Sequence, residues 1–382
     1  MKSRQPITLL FDAGPLVASN KAGVGYYTKR LIESLADQLP ENSRLVGHYF
    51  NFLGMKSVSG LPCHPSISYK NSNILPHKAL TAARLLGFQL PVELLFKQTA
   101  DAALFPNFLA LPSALKIPKV SVIHDTAFLD MPELVPDQTK RMLSRHLGKS
   151  IKRSDQIITV SEFSKKSIIK HFGVEESRVL VTPIPPESLH KKITSKRIID
   201  GKYLLFLGTL EPRKNIACLL TAYHSLPAKV RQEYSLVLAG GKGWKDEEIL
   251  ALIDKFRLQG DSIITPGYVS DQDKDSLLKH TAIYVQPSLY EGFGMPILEA
   301  MSYDIPIVCS DIDVFKEVAG DSVQYFKNNN SVNLTAKLDR LIKDKGLQKL
   351  TVEKSRSRLS SLPGWEDVAD AVIDSIYRQI NK

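Results

Sequence analysis

The chain of 382 residues has only three cysteines, Cys63, Cys218 and Cys309. They are odd in number and far apart, so they build neither a disulfide framework nor a metal site, and they point to a reducing compartment. No window reaches the ~18 consecutive apolar residues of a membrane span. The opening run MKSRQPITLLFDAG is basic and then briefly apolar, but Asp12 interrupts it too soon for a signal-peptide core. It reads as a first buried strand, and a cytoplasmic protein is expected. Zinc-finger, basic-zipper and aromatic–basic RNA signatures are missing. So are low-complexity segments and repeats of solenoid period.

What is present is ordinary in amount and uneven in placement. Hydrophobic content of 43% and charged content of 24% suit a soluble globular protein, and the length suits two domains. The net charge is +10, yet residues 1–190 carry 23 Lys/Arg against 15 Asp/Glu (+8) and the remainder 27 against 25 (+2). A basic first half suggests nucleic acid, an anionic membrane surface or phosphorylated substrates as partner. A basic surface without a specific partner is the plainer alternative.

Short runs of Val, Ile, Leu and Phe alternate with longer helical patterns. The expected strands are ITLLFD, RLVGHYF, AALF, KVSVIHD, QIITVS and RVLVTP, then YLLFLG, SLVLAG, SIITPG, AIYVQP and PIVCSD. Continuous apolar runs with intervening helices predict α/β architecture with parallel sheets covered on both faces, doubly wound and present twice. The polar segment 184–202, with Pro185 and Pro186, marks the boundary. The expected domains are 1–185 and 200–363, with an amphipathic final helix in 364–382.

In such sheets ligands gather beyond the C-terminal strand ends. Gly23 and Gly25 precede a helix pattern that starts near Tyr26, and such glycines can offer free amides to an anion. Turn chemistry alone explains them equally well, and a dinucleotide fingerprint would want glycine where Thr28 stands. His124 and Asp125 follow a buried strand, in a catalytic or a structural role. Ser161 or Ser164 reads as a helix cap. After YLLFLG comes Glu211-Pro212-Arg213-Lys214-Asn215 and then a helix. Two cations at a helix start oppose the macrodipole, which a bound diphosphate would relieve. Last comes LYEGFGMPILE, where Pro296 suits the first helical position. Glu291 then lies in the loop and Glu299 one turn into the helix, and the amides of Phe293, Gly294 and Met295 face a ligand. Carboxylates accept from paired hydroxyls, which suits a sugar on one side and a ribose on the other.

These residues resemble the family 4 retaining glycosyltransferases of the GT-B fold. The likeness covers nearly the whole chain and is most specific in E-x7-E, Glu291 to Glu299 within EGFGMPILEAM. It continues in GTLEPRKN (208–215), LAGGKGW (238–244), GYVS (267–270) and PSLYEGFG from 287. The combination is similar to bacterial mannosyltransferases of O-antigen or exopolysaccharide synthesis. The resemblance implies two Rossmann-like domains facing across a cleft, acceptor-binding then sugar-nucleotide-binding, with the C-terminal helix crossing back to the first. It implies that Glu291 and the amides of Phe293, Gly294 and Met295 hold the donor sugar. Glu299 would take the ribose, Arg213 and Lys214 the diphosphate. Gly23 and Gly25 would let a loop close over the phosphates, His124 would reach the transferred sugar, and Tyr268 and Val269 would lie beside the base. Many relatives carry arginine where this chain has Thr209, and Arg213 is the candidate replacement.

By the same resemblance the chain is expected to move mannose from GDP-mannose to a polyprenyl-diphosphate-linked oligosaccharide, without a metal or other cofactor. Glu291, His124, Arg213 and Lys214 are the candidate catalytic residues. Front-face transfer with Glu291 as a positioning residue is preferred over double displacement, which needs a carboxylate under the anomeric carbon. Residues 76–96 are core helices or a surface that docks on anionic lipid, which would make the protein peripheral on the cytoplasmic face of the inner membrane. Other polysaccharide-assembly enzymes are further candidate partners. The alternatives are a GDP-deoxysugar or UDP-sugar donor. Outside the class stand a nucleic-acid-binding protein and a dehydrogenase, which the missing modules and incomplete glycine fingerprint disfavour.

Overall fold

The computed structural model describes residues 4–17, 23–51, 58, 60–72, 91, 99–114, 116–186 and 196–382. Apart from Pro91, the segment 76–96 lies outside the described residues. The chain divides into two compact units: Met1–Asp130 with Asp137–Pro185 and Pro363–Lys382, and Met131–Pro136 with Pro186–Leu362.

The first unit holds a seven-stranded sheet in the order β3-β2-β1-β4-β5-β6-β7. Its strands are β1 (Thr8–Asp12), β2 (Arg44–Phe50), β3 (Ile67–Ser72), β4 (Ala102–Phe105), β5 (Lys119–Val122), β6 (Gln156–Thr159) and β7 (Val179–Val181). Every pairing is parallel. The central strands are apolar throughout because both faces are covered: β4 is buried at all four positions and Leu9, Leu10 and Phe11 of β1 are fully buried.

The second unit repeats the plan with six parallel strands in the order β10-β9-β8-β11-β12-β13. They are β8 (Lys202–Leu207), β9 (Tyr234–Ala239), β10 (Ile263–Gly267), β11 (Ile283–Gln286), β12 (Ile307–Ser310) and β13 (Gln324–Phe326). One apolar core runs from Leu204 and Phe206 of β8 through Leu219 and Leu220 of the helix Ile216–His224 to Leu334, Leu338 and Leu341 of the helix Ser331–Lys343.

Two edge strands fall outside the apolar runs of the sequence. In β3, ISYKNS, no residue from Ile67 to Asn71 is buried, and in β13 only Phe326 is. An edge strand needs one partner and one covered face, so it leaves little apolar signal.

The final helix, Trp365–Ile380, belongs to the first unit. Its apolar stripe Val368, Ala369, Val372, Ile373 and Ile376 is buried, at helical spacing. The Ser34 hydroxyl donates to the Trp365 carbonyl at 2.9 Å, and Arg4 reaches Asp370 at 3.4 Å and also pairs with Asp374. The chain therefore leaves this unit after Pro185 and re-enters it at Pro363.

Candidate functional site

In both sheets the strand order reverses once, between β1 and β4 and between β8 and β11. At such a point the loops leaving two neighbouring strands diverge and open a crevice. In the second unit the loop after β8 carries Arg213 and Lys214, and the loop after β11 carries Glu291.

These three side chains meet. Glu291 is 7% exposed, and its Oε1 accepts from Lys214 Nζ at 2.6 Å and from the Ser288 hydroxyl at 2.8 Å. The Gln286 amide stands 3.5 Å from the same oxygen. The other oxygen, Oε2, accepts from Arg213 Nη1 at 3.0 Å. Glu211 Oε1 takes the rest of the guanidinium, from Nε at 3.2 Å and Nη2 at 3.0 Å. Burial alone would raise the Glu291 pKa, but Lys214, Arg213 and the Ser288 hydroxyl outweigh it and hold the carboxyl down at about 2.

The cations do not stand at the helix start as the sequence suggested. Pro212–Lys214 form a 3₁₀ turn, Asn215 caps the next helix in the left-handed region (φ 53°), and the helix begins at Ile216. Glu291 and Glu211 already neutralise the pair, so no bound anion is needed to explain its placement.

The loop after β9 fixes this constellation from behind. Leu210 N–H donates to the Gly241 carbonyl at 3.0 Å, and Gly208 N–H to the Ala239 carbonyl at 3.0 Å. A Cβ on Gly240 would sit 1.8 Å from the Gly208 carbonyl oxygen, and one on Gly243 2.3 Å from that of Leu210. The glycines of LAGGKGW thus permit backbone contact with GTLEPRKN.

The helix after Glu291 is Met295–Ser302, so Met295 is its first residue and Pro296 its second, one place later than expected. Gly294 caps it at φ 114°, where a Cβ would also meet the Phe315 ring at 2.9 Å. The amides of Phe293, Gly294 and Met295 make no hydrogen bond among the described residues, while the Phe293 side chain is buried. Glu299 lies one turn into the helix and pairs with Lys274 Nζ at 2.9 Å. Tyr268 is 77% exposed and Val269 half-buried, in the short link between β10 and the helix Asp271–His280.

Gln286 and Ser288 belong to the site but not to the sequence expectation. Tyr284 donates its hydroxyl to Gln286, whose amide donates to Ser288 at 2.8 Å. Positions 284 and 286 share one side of β11, and Ser288 follows two residues after its end. That polar alternation inside an apolar run was the available signal.

In the first unit, Gly23 and Gly25 lie within the first turn of the helix Gly23–Gln38, not before it. Thr28 donates to the Val24 carbonyl at 2.7 Å, a helix-internal bond in place of a third glycine. Ser161 caps the helix Glu162–Phe172 by accepting from Ser164 N–H at 3.0 Å. His124 is 9% exposed, and its Nε2 lies 2.9 Å from the Pro106 carbonyl. A carbonyl only accepts, so Nε2 carries the proton and a neutral ring offers its Nδ1 lone pair. Burial pushes the ring below its ordinary 6.5, although the Pro106 carbonyl and Asp125 pull the other way. The rings of Tyr27 and Phe108 stand edge-on to it, with centroids at 5.2 and 5.7 Å.

Comparison with known proteins agrees with this division. The model of "Glycosyltransferase Family 4" matches residues 22–185, and that of "Glycosyl transferases group 1" matches residues 190–358. The O-antigen chain mannosyltransferase B of Escherichia coli is 32% identical over 279 residues, 71% of this chain and 72% of that one. The serotype-specific mannosyltransferase WbdA of E. coli is 26% identical over 68% of this chain, which spans only 33% of its length. Among solved structures, sucrose-phosphate synthase from Thermosynechococcus elongatus superposes with a TM-score of 0.72 at 14% identity, over 98% of this chain and 99% of that one.

Proposed function

The chain belongs to the glycosyltransferases of the GT-B fold, and from that premise we propose that it transfers mannose from GDP-mannose to a lipid-linked oligosaccharide with retention at the anomeric carbon. One observation carries the donor site. The cations that a leaving diphosphate requires, Arg213 and Lys214, stand at the switch point of the second sheet, held by Glu291. Mannose and the glycan acceptor are inferred from the 32% identity to an O-antigen mannosyltransferase.

Breaking the anomeric bond leaves positive charge on the sugar and negative charge on the diphosphate. Lys214 Nζ has three N–H donors and gives one to Glu291. The others, with the guanidinium of Arg213, meet the developing phosphate charge in the role that a divalent metal plays elsewhere. Removing one such donor typically costs ~2.7–4 kcal/mol of transition-state stabilisation. The free amides of Phe293, Gly294 and Met295 take sugar hydroxyls, and Glu299 takes the ribose.

The state of Glu291 favours front-face transfer. Each of its oxygens accepts from a cation, and Oε1 accepts from Ser288 as well. A carboxylate so engaged is a poor nucleophile, so Glu291 orients the cations while the leaving phosphate takes the acceptor proton. His124, neutral with Nδ1 free to accept, suits a sugar hydroxyl.

Among the described residues no helix is long and apolar enough to cross a membrane. A lipid-linked acceptor therefore calls for reversible contact with the cytoplasmic leaflet, where other polysaccharide-assembly enzymes would meet the same glycan.

Calorimetric titration with GDP, UDP, ADP and NAD in parallel tests the donor. Preference for GDP is expected. Preference for UDP or ADP would keep the reaction and discard mannose, and binding of NAD alone would overturn the site.

A further inference from the structure

The helix Asp137–Arg153 carries a charge pattern that the transfer reaction does not use. Residues 138–153, QTKRMLSRHLGKSIKR, contain six Lys/Arg and no carboxylate. One face is packed, with Leu143, Leu147, Ser150 and Ile151 buried. The opposite face presents Arg141, Arg145, Lys149 and Lys152, all exposed, at spacings of four, four and three. Such spacing lines the four cations along one stripe about 16 Å long. None of the four has an ion pair or side-chain hydrogen bond among the described residues, in contrast to Lys140, which reaches Asp137 at 2.9 Å.

Helix electrostatics do not account for the stripe. The macrodipole favours cations only in the last turn, which covers Lys152 but not Arg141 or Arg145. The terminal carbonyls are served from elsewhere, since Arg178 Nη2 donates to Ile151 at 3.0 Å and to Ser154 at 2.6 Å. Four aligned cations at i,i+4 spacing repel one another, so an anionic partner would relieve a strain that solvent only screens.

The chemistry favours a bilayer over nucleic acid. Residues 138–153 contain no Phe, Tyr or Trp on which a base could stack. The exposed Met142 stands beside Arg141 and one turn from Arg145, and its flexible apolar side chain suits the boundary between headgroups and acyl chains. The packed face leads directly to the candidate site. Ser150 accepts from Ala110 N–H at 2.7 Å and donates to the Phe108 carbonyl at 3.1 Å, and the Phe108 ring is the one against His124.

We infer that the stripe Arg141–Arg145–Lys149–Lys152 is a docking surface for the anionic headgroups of a lipid bilayer, one loop away from His124. The inference deepens the proposed function and rests on it only for the membrane-borne acceptor. It also differs from the sequence expectation, which put lipid contact at residues 76–96. Each cation near an anionic leaflet contributes roughly a five-fold gain in partitioning. Removing four should weaken binding by on the order of 10²–10³-fold.

The test is co-sedimentation of the full chain with vesicles of phosphatidylcholine alone and of phosphatidylcholine with phosphatidylglycerol. The wild type should bind only the second, less at high salt. The variant Arg141→Gln/Arg145→Gln/Lys149→Gln/Lys152→Gln should lose that binding with an unchanged melting temperature. A charge-matched control on the second unit, Lys229→Gln/Lys255→Gln/Lys279→Gln/Lys349→Gln, should retain it. Equal loss in both variants would mean that net charge alone acts, and would overturn the inference. So would vesicle binding kept by the stripe variant, or wild-type binding to duplex DNA but not to vesicles. GDP titration of the stripe variant separates the two proposals: intact GDP binding with lost vesicle binding is expected. Vesicle binding without GDP binding in the wild type would refute the donor and leave the surface standing.

Discussion

Replacing Glu291 by glutamine keeps the volume and removes the one charge on which Lys214 and Arg213 converge. The size of the effect follows from the site. Glu291 is 7% exposed, so solvent screens little of the interaction, and its ionisation sits at about 2 against an ordinary 4.5. That difference is worth about 3 kcal/mol in favour of the folded ionised form. Leaving a buried cation unpaired costs a similar ~3–5 kcal/mol. Because the folded pKa is depressed, the contribution is complete above the unfolded value and fades as the pH falls towards 2. Urea unfolding of wild type and Glu291→Gln at about pH 7 should therefore differ by about 3 kcal/mol, or roughly 6–12 °C in melting temperature for a unit of this size. At about pH 3 the gap should have narrowed. A gap below ~1 kcal/mol at neutral pH, or one that ignores pH, would refute the ion-pair assignment.

Three further outcomes are expected. Glu299→Ala should weaken GDP binding by roughly 10–100-fold through the loss of charge-assisted hydrogen bonds, with little change in stability because Lys274 is a third exposed; equal affinity by calorimetry would contradict its ribose role. Gly240→Ala drives a Cβ into the Gly208 carbonyl, and should cost about 1–3 kcal/mol in a denaturant melt; an unshifted midpoint would show that the two loops can separate freely. His124 binds its proton more weakly when folded, so the unfolded chain protonates first and stability should drop as the pH falls below about 6.5. His124→Asn should remove that limb from the urea midpoints, and its survival would assign it to another group.

Much of the fold was legible because buried parallel strands are continuous apolar runs. Eleven such runs correspond to eleven of the thirteen strands, the edge strands β7 and β10 among them. The two missed were β3 and β13, whose residues face solvent or are too few to show a pattern. Arg213, Lys214, Glu291 and Glu299 could be singled out in the sequence, but their pairings could not. Lys214 and Glu291 lie 77 residues apart, and Lys274 and Glu299 lie 25 apart; nothing local in either segment announces the other. The αL conformation of Asn215 likewise moved the cations off the helix terminus, and residue type alone does not dictate that choice. The Tyr284–Gln286–Ser288 chain could have been read, since buried polar residues at every second position along a strand and its exit loop must be paired to be tolerated.

The two glutamates of E-x7-E also have partners that their spacing does not announce. Each is bound to a cation of a neighbouring element: Glu291 to the loop after β8, Glu299 to the helix Asp271–His280. Without Glu291, Lys214 at 9% exposure would pay a desolvation penalty with nothing to offset it. The carboxylate makes it possible to keep an ammonium group buried at the switch point, oriented before any phosphate arrives. With Glu211, Arg213, Lys214 and Glu291 counted together, the cluster is formally neutral. On the proposed donor role, a diphosphate would share the cations with Glu291 instead of meeting them bare. Ground-state affinity would be lowered by that sharing. The charge that grows on the diphosphate as the anomeric bond breaks would still find donors already in place, and interactions that strengthen only at that stage are the ones that raise turnover.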